Sequence, residues 1–160
     1  MFFHEGLKDV PKVVEYSYIQ LFEDREVYNL GFGDYCPELK EVRDQVKSNN
    51  GDSYKVFRTV LSTVPIFFER QQHAILMVQG SDGGAYLIEN CRKSCTKRCV
   101  GSCKKSNQRI TVYRNFVEKN FLELSIDYWF LGGFLSTEIH TKIERYIPGH
   151  KYDTILLFKK

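Results

Sequence analysis

The sequence predicts an α/β chain of the α+β kind: a single mixed, mostly antiparallel sheet flanked by helices, with a cysteine-rich insertion. Three observations carry that expectation. First, residues 53–69 repeat apolar side chains every three to four positions, and residues 74–78 (AILMV) follow as an uninterrupted apolar run. The first is the period of a helix packed on a sheet, and the second the pattern of a strand covered on both faces, expected to be central. Second, short apolar runs recur at residues 128–131 (YWFL) and 154–158 (TILLF), as buried strands do. Third, from residue 82 the composition turns glycine-rich and then cationic before a globular pattern resumes at Arg109.

In chain order, residues 1–11 show no period and read as an arm. Val13, Val14, Tyr16, Tyr18 and the run 19–22 predict a first strand, with a hairpin turn at Glu23, Asp24, Arg25 and Glu26. Residues 27–32 (VYNLGF) predict a second strand, ending where Gly31, Gly33 and Asp34 allow a sharp turn, with Cys36 and Pro37 in a loop. Residues 39–46 are open between a helical reading of Leu39, Val42 and Val46 and a short third strand over 42–46; the strand suits a layered arrangement.

Asn49, Asn50 and Gly51 then form a turn, and Asp52 caps the helix. Val56, Val60, Val64 and Phe67 lie on one stripe with Phe57, Leu61 and Phe68 beside it, while Lys55, Arg58, Ser62 and Glu69 face away. Pro65 removes a hydrogen bond to Leu61 and predicts a kink costing about 3 kcal/mol. Beyond the insertion, Ile110, Tyr113, Val117 and Phe121, with Val112 and Phe116, predict a core-facing helix. YWFL predicts a strand, Gly132 and Gly133 a turn, residues 139–147 a short helical or irregular crossing stopped by Pro148, and TILLF a last strand.

Composition narrows the class. The chain has 160 residues, 42% hydrophobic and 14% aromatic, enough for the core of one domain, expected to span residues 1–160 with the insertion at 82–108. No apolar run spans a bilayer, and the start, MFFHEGLKDV, carries acids without a long hydrophobic region, so the expectation is a cytoplasmic protein with no membrane partner. Five cysteines in a chain without an export signal favour reduced thiols or metal over a disulfide framework. No nucleophile elbow, P-loop or HExxH helix is present, and His4, His73, His140 and His150 have no ligand spacing to each other.

The strongest chemical signal is the run CRKSCTKRCVGSCKK at residues 91–105. Cys91, Cys95, Cys99 and Cys103 recur every four residues, about 6 Å apart along a straight helix, whereas zinc needs four sulfurs at about 2.3 Å. A bend at Val100, Gly101 and Ser102 would let the two pairs meet around structural zinc; reduced thiols and disulfide pairs are the alternatives. The spacing matches no ferredoxin run, and Cys36 reads as a small buried hydrophobe.

Arg92, Lys93, Lys97, Arg98, Lys104 and Lys105 give this run six positive charges and no acid, so the formal net charge of +3 comes wholly from it. Such a patch would dock an acidic protein surface or track nucleic-acid phosphates, or else is a solvated loop, since no aromatics interleave for base stacking. Arg109 and Tyr113 lie one helical turn apart and would serve as anion clamp and proton donor, or as an ordinary helix-to-sheet contact. Asp34 and Asp52, each after a glycine, are a candidate carboxylate pair.

Two resemblances add expectations. The order strand, strand, strand, helix, strand, helix, strand, strand is similar to that of the Gcn5-related N-acetyltransferase superfamily from its second strand onward. This implies acyl-CoA pyrophosphate at Asn49, Asn50, Gly51 and Asp52, where free helix N–H groups favour an anion, and Tyr113 as proton donor to the departing thiolate. An aspartate stands there where phosphate would approach, and the usual arginine or glutamine with spaced small residues is absent from SNNGDS. YNLGFGD (residues 28–34), SNNGD with a valine-rich helix (48–64), and Gly80, Ser81, Arg109 and Tyr113 resemble a family of small uncharacterised bacterial proteins. That resemblance implies no activity. The expected function is therefore a non-enzymatic binding or accessory protein with a zinc-stapled basic insertion, with an acyl-CoA-dependent N-acyltransferase as the alternative and acetyl-CoA its cofactor.

Overall fold

The computed structural model describes residues 12–43, 53–80, 107–135 and 142–160, together with Glu89, Lys93, Cys99 and Cys103; of residues 41–43, 53, 54 and 56 it describes the backbone alone. Among the described residues, seven strands and three helices form an α+β fold with a mixed sheet. The strands are β1 (Lys12–Phe22), β2 (Arg25–Cys36), β3 (Glu41–Arg43), β4 (Ile75–Gln79), β5 (Tyr128–Phe134), β6 (Lys142–Arg145) and β7 (Thr154–Lys159). The helices are α1 (Ser53–Arg70), α2 (Gln108–Lys119) and α3 (Phe121–Asp127). Strand order is β1-β2-β4-β7-β5-β6, with β3 on β2. By contacts the chain divides into two compact units, Met1–Leu76 and Met77–Lys160, and the division falls inside β4.

In the first unit, β1 and β2 form a long antiparallel hairpin closed by Glu23 and Asp24, both at positive φ (48° and 63°). Two central residues with φ above zero are the signature of the turn whose twist matches a hairpin. A register shift between Tyr18 and Gln20 leaves Ile19 as the extra residue of a bulge. Helix α1 buries Phe57, Val60, Val64, Phe67 and Phe68, while Lys55, Arg58, Ser62 and Glu69 are exposed, as its period dictates. Tyr16 stacks on Phe67 at 4.5 Å, Tyr28 meets Phe67 edge-on at 5.4 Å, and Phe57 meets Phe32 at 6.4 Å. Each of the buried α1 side chains contributes about 1.5–3 kcal/mol. The helix continues through Pro65, which lies on its exposed face where solvent can reach an unpaired carbonyl.

Two expectations for this unit need correction. Gly31, Gly33 and Asp34 do not turn; β2 runs on to Cys36, because the first residues of β1 supply partners for them, Glu15 opposite Gly31 and Lys12 opposite Asp34. Cys36 does not lie in a loop but is half-buried in β2, opposite Glu41 of the third strand; that strand is present as expected over Glu41–Arg43, antiparallel to β2, residues 44–46 lying outside the described residues.

In the second unit, β5 pairs antiparallel with both β6 and β7. Ile155, Leu156 and Leu157 of β7 are buried, and the Thr154 hydroxyl donates to the Val78 carbonyl at 3.1 Å. Helix α2 buries Ile110 and Tyr113, whereas Val112 is 45% exposed and does not face the core. The helical run breaks at Asn120, whose side chain donates to the Phe116 carbonyl at 2.8 Å, and Phe121 opens α3. Phe121 still reaches the core, stacked on Tyr146 at 5.6 Å.

Gly132 and Gly133 are not a turn but part of β5. A Cβ on Gly132 would stand 2.3 Å from the Tyr152 ring, so glycine admits a side chain from another strand connection. Residues 142–145 are not a helical or irregular crossing but β6, since Ile143 and Arg145 alternate with Glu144 and find Leu131, Gly132 and Gly133 as partners. The chain then turns at Pro148 and Gly149, where φ is 93°.

Candidate functional site

Asn49, Asn50, Gly51 and Asp52 lie outside the described residues, as do Cys91, Cys95, Arg92, Lys97, Arg98, Lys104 and Lys105. Of the spaced cysteines, Cys99 is half-buried and Cys103 buried. Lys93 is exposed on helical backbone, and its ammonium meets the Glu89 carboxylate at 3.2 Å across one helical turn. Glutamate four residues before lysine is the favourable order along a helix dipole, but so exposed a pair contributes only about 0.3–0.5 kcal/mol. Among the described residues no group of three or more His, Cys, Asp or Glu side chains could hold a metal ion.

Arg109 and Tyr113 share α2; Tyr113 is 4% exposed and Arg109 half-buried. Two further α2 side chains, Arg114 and Glu118, reach the β6–β7 connection. Arg114 donates to the Tyr152 carbonyl at 3.2 Å and to the Thr111 hydroxyl at 3.0 Å, and Glu118 accepts from the Gly149 N–H at 3.1 Å. Arg114 and Glu118 lie four residues apart, on one helix face, and so hold the same β6–β7 connection at two points.

That connection carries a polar network. Tyr152, with no exposed surface, accepts from the Ile147 N–H at 3.1 Å and donates to Glu144 at 2.8 Å. Glu144 also lies 3.1 Å from Nδ1 of His150. The bonds from Tyr152 and His150 hold the Glu144 carboxyl below the usual carboxylate range, and burial pushes the Tyr152 phenol up. A carboxylate on Nδ1 would fix that imidazole tautomer. Because the same bonds also tie residues 144, 147, 150 and 152 to one another, the arrangement acts as a lock on the connection.

Beside it, Tyr146 is 4% exposed and its hydroxyl makes no hydrogen bond of ordinary geometry. Burial pushes its pKa well above the ordinary tyrosine value, the Glu118 charge adding to the rise and Arg114 opposing it.

In the first unit, Asp34 forms a buried ion pair with Lys12, and its Oδ2 is buried without a partner. Its proposed companion Asp52 lies outside the described residues. An open cleft of about 420 Å³ lies between the hairpin turn at residues 24–26 and the end of α1 at residues 69–74. Its three acids, two arginines and His73 present no single sign of charge. Sequence reading missed Arg114, Glu118, Glu144 and Tyr152; the four-residue spacing of the first two on one helix is the signal that was available.

Among the described residues no helix is long and apolar enough to cross a membrane. Residues 1–84, just over half of the chain, match the model of a family of unknown function, DUF6934. No curated protein and no solved structure matches the chain.

Proposed function

The chain belongs to the DUF6934 family of unknown function, and we propose that it is a non-enzymatic binding or accessory protein. Cys91, Cys95, Cys99 and Cys103 hold a structural zinc ion, and Arg92, Lys93, Lys97, Arg98, Lys104 and Lys105 around it dock an anionic partner, an acidic protein surface or nucleic acid. The observation that carries the reading is the unbroken four-residue spacing of cysteines in a stretch whose charges are all basic. The surrounding cations would offset the double negative charge of a zinc tetrathiolate and lower the thiol pKa values. The burial of Cys103 and partial burial of Cys99 support thiols screened from water, as a closed site needs. The exposure of Lys93, weakly paired with Glu89, supports a cation able to exchange partners. The burial of Tyr113 favours binding over acyl transfer from acetyl-CoA, in which that phenol would have to reach a departing thiolate.

Metal analysis of protein purified without added zinc tests the staple. About one zinc per chain is expected, lost in the Cys95→Ser, Cys99→Ser variant; zinc-free wild-type protein of undiminished stability would refute it. Changing Arg92, Lys93, Lys97 and Arg98 together to Ala should abolish a salt-sensitive interaction while the far-ultraviolet circular dichroism stays unchanged.

A further inference from the structure

One face of the β5–β6–β7 part of the sheet is unlike the other. Antiparallel partners point to the same side, so Trp129, Leu131, Ile143, Arg145 and Phe158 share a face. Glu144 and Tyr146 belong to the opposite face, with Phe130 and the covering Phe121. The Trp129 side carries no acidic residue from β5, β6 or β7, since Glu144, their one carboxylate, points the other way. It opens to solvent toward the edge strand β6: Leu156 is 7% exposed, but Ile143 is 38% and Trp129 43% exposed. Two cations stand over the indole, the Lys160 ammonium 4.6 Å and the Arg145 guanidinium 5.3 Å from its centroid, and the Lys160 ammonium also donates to the Ser125 carbonyl.

We infer that this face binds single-stranded nucleic acid, a base stacking on the Trp129 ring while Arg145 and Lys160 swing from the indole to the flanking phosphates. A π-face for the base with exposed cations beside it, on strands whose one carboxylate points the other way, is what sequence-tolerant recognition of a single strand requires. An acidic protein surface would satisfy the cations but leave the indole without a stacking partner. The face stands on residues outside the cationic insertion, and binding here does not depend on zinc.

Trp129 is the single tryptophan of the chain, so emission excited at the red edge, where the tyrosines do not absorb, reports this face alone. Titrating the full chain with a twelve-residue oligothymidylate at low salt should quench it, and polyglutamate of matched charge should not. Anisotropy of the labelled oligonucleotide should weaken by about tenfold or more in Trp129→Leu and only a few-fold in Trp129→Phe, which keeps a stacking ring. In Arg145→Ala the slope of log affinity against log salt should fall by about 0.7, the value for one phosphate contact on a single strand. The Arg92, Lys93, Lys97, Arg98 to Ala variant should retain the quenching, which separates this face from the insertion. Absence of quenching and of anisotropy change, equal quenching by polyglutamate, or unchanged affinity in a folded Trp129→Leu variant would each overturn the inference.

Discussion

Replacing Gly132 by alanine adds one methyl group at the most crowded point of the second unit. Its Cβ would lie 2.3 Å from Cδ1 and Cε1 of Tyr152 and 2.5 Å from Cζ, about 1 Å inside ordinary contact. The ring cannot step aside cheaply. It is wedged against Phe134 and Tyr146, each at 4.9 Å, and its hydroxyl is tied at 3.1 Å to the Ile147 N–H and at 2.8 Å to Glu144. Overpacking of a buried site costs about 1–3 kcal/mol, and a rigid ring tethered at its far end places this case at the top of that range, about 3 kcal/mol. For a chain of 160 residues, that is a fall in Tm of roughly 6–12 °C. Urea unfolding followed by far-ultraviolet circular dichroism measures the cost. The decisive comparison is a double-mutant cycle, because on a Tyr152→Ala background the clash has no partner and Gly132→Ala should be nearly neutral. An equal cost on both backgrounds, or a single variant within about 0.5 kcal/mol of wild type, would show that the glycine is not there to admit the ring.

Two further outcomes test other parts of the fold. The hairpin residues Glu23 and Asp24 hold φ of 48° and 63°, a conformation costing L-residues about 1–2 kcal/mol each. Glycine surrenders about 0.5–1 kcal/mol of chain entropy, so Glu23→Asn with Asp24→Gly should stabilise by about 1 kcal/mol in net, read as a higher urea midpoint. A lower midpoint would mean that the acid side chains themselves hold the turn. The Tyr146 hydroxyl is buried without an ordinary hydrogen bond, so Tyr146→Phe should stabilise by up to about 1 kcal/mol at pH 7. Its folded pKa is raised, so the neutral phenol's contribution is complete below the unfolded value near 10 and is lost as pH climbs past it. The alkaline decline in stability should therefore be shallower in the phenylalanine variant; an unchanged decline assigns it to other groups.

Helix α1 and strand β4 were legible because their information is local: the 3.6-residue repeat from Phe57 to Phe68 and the unbroken run from Ala74 to Val78 each state which faces are buried. The first hairpin and the last strand were legible for the same reason. The glycines were not. Gly31 and Gly33 permit a turn, yet residues of β1 far back in the chain continue the ladder, and Gly132 permits one, yet the ring of Tyr152 takes its place inside a strand.

The same division runs through the candidate sites. Cysteine spacing and the sign of charge around it are properties of the chain, open to reading at once. That Glu144 meets Tyr152, and that Arg145 and Lys160 converge on Trp129, follows from β5 pairing with β6 and β7. The sequence alone determined period, charge and the reach of each side chain. Which distant residues meet was decided only by tertiary pairing, because a glycine or a short alternating run accepts several local conformations of similar free energy and the partner across the sheet selects one.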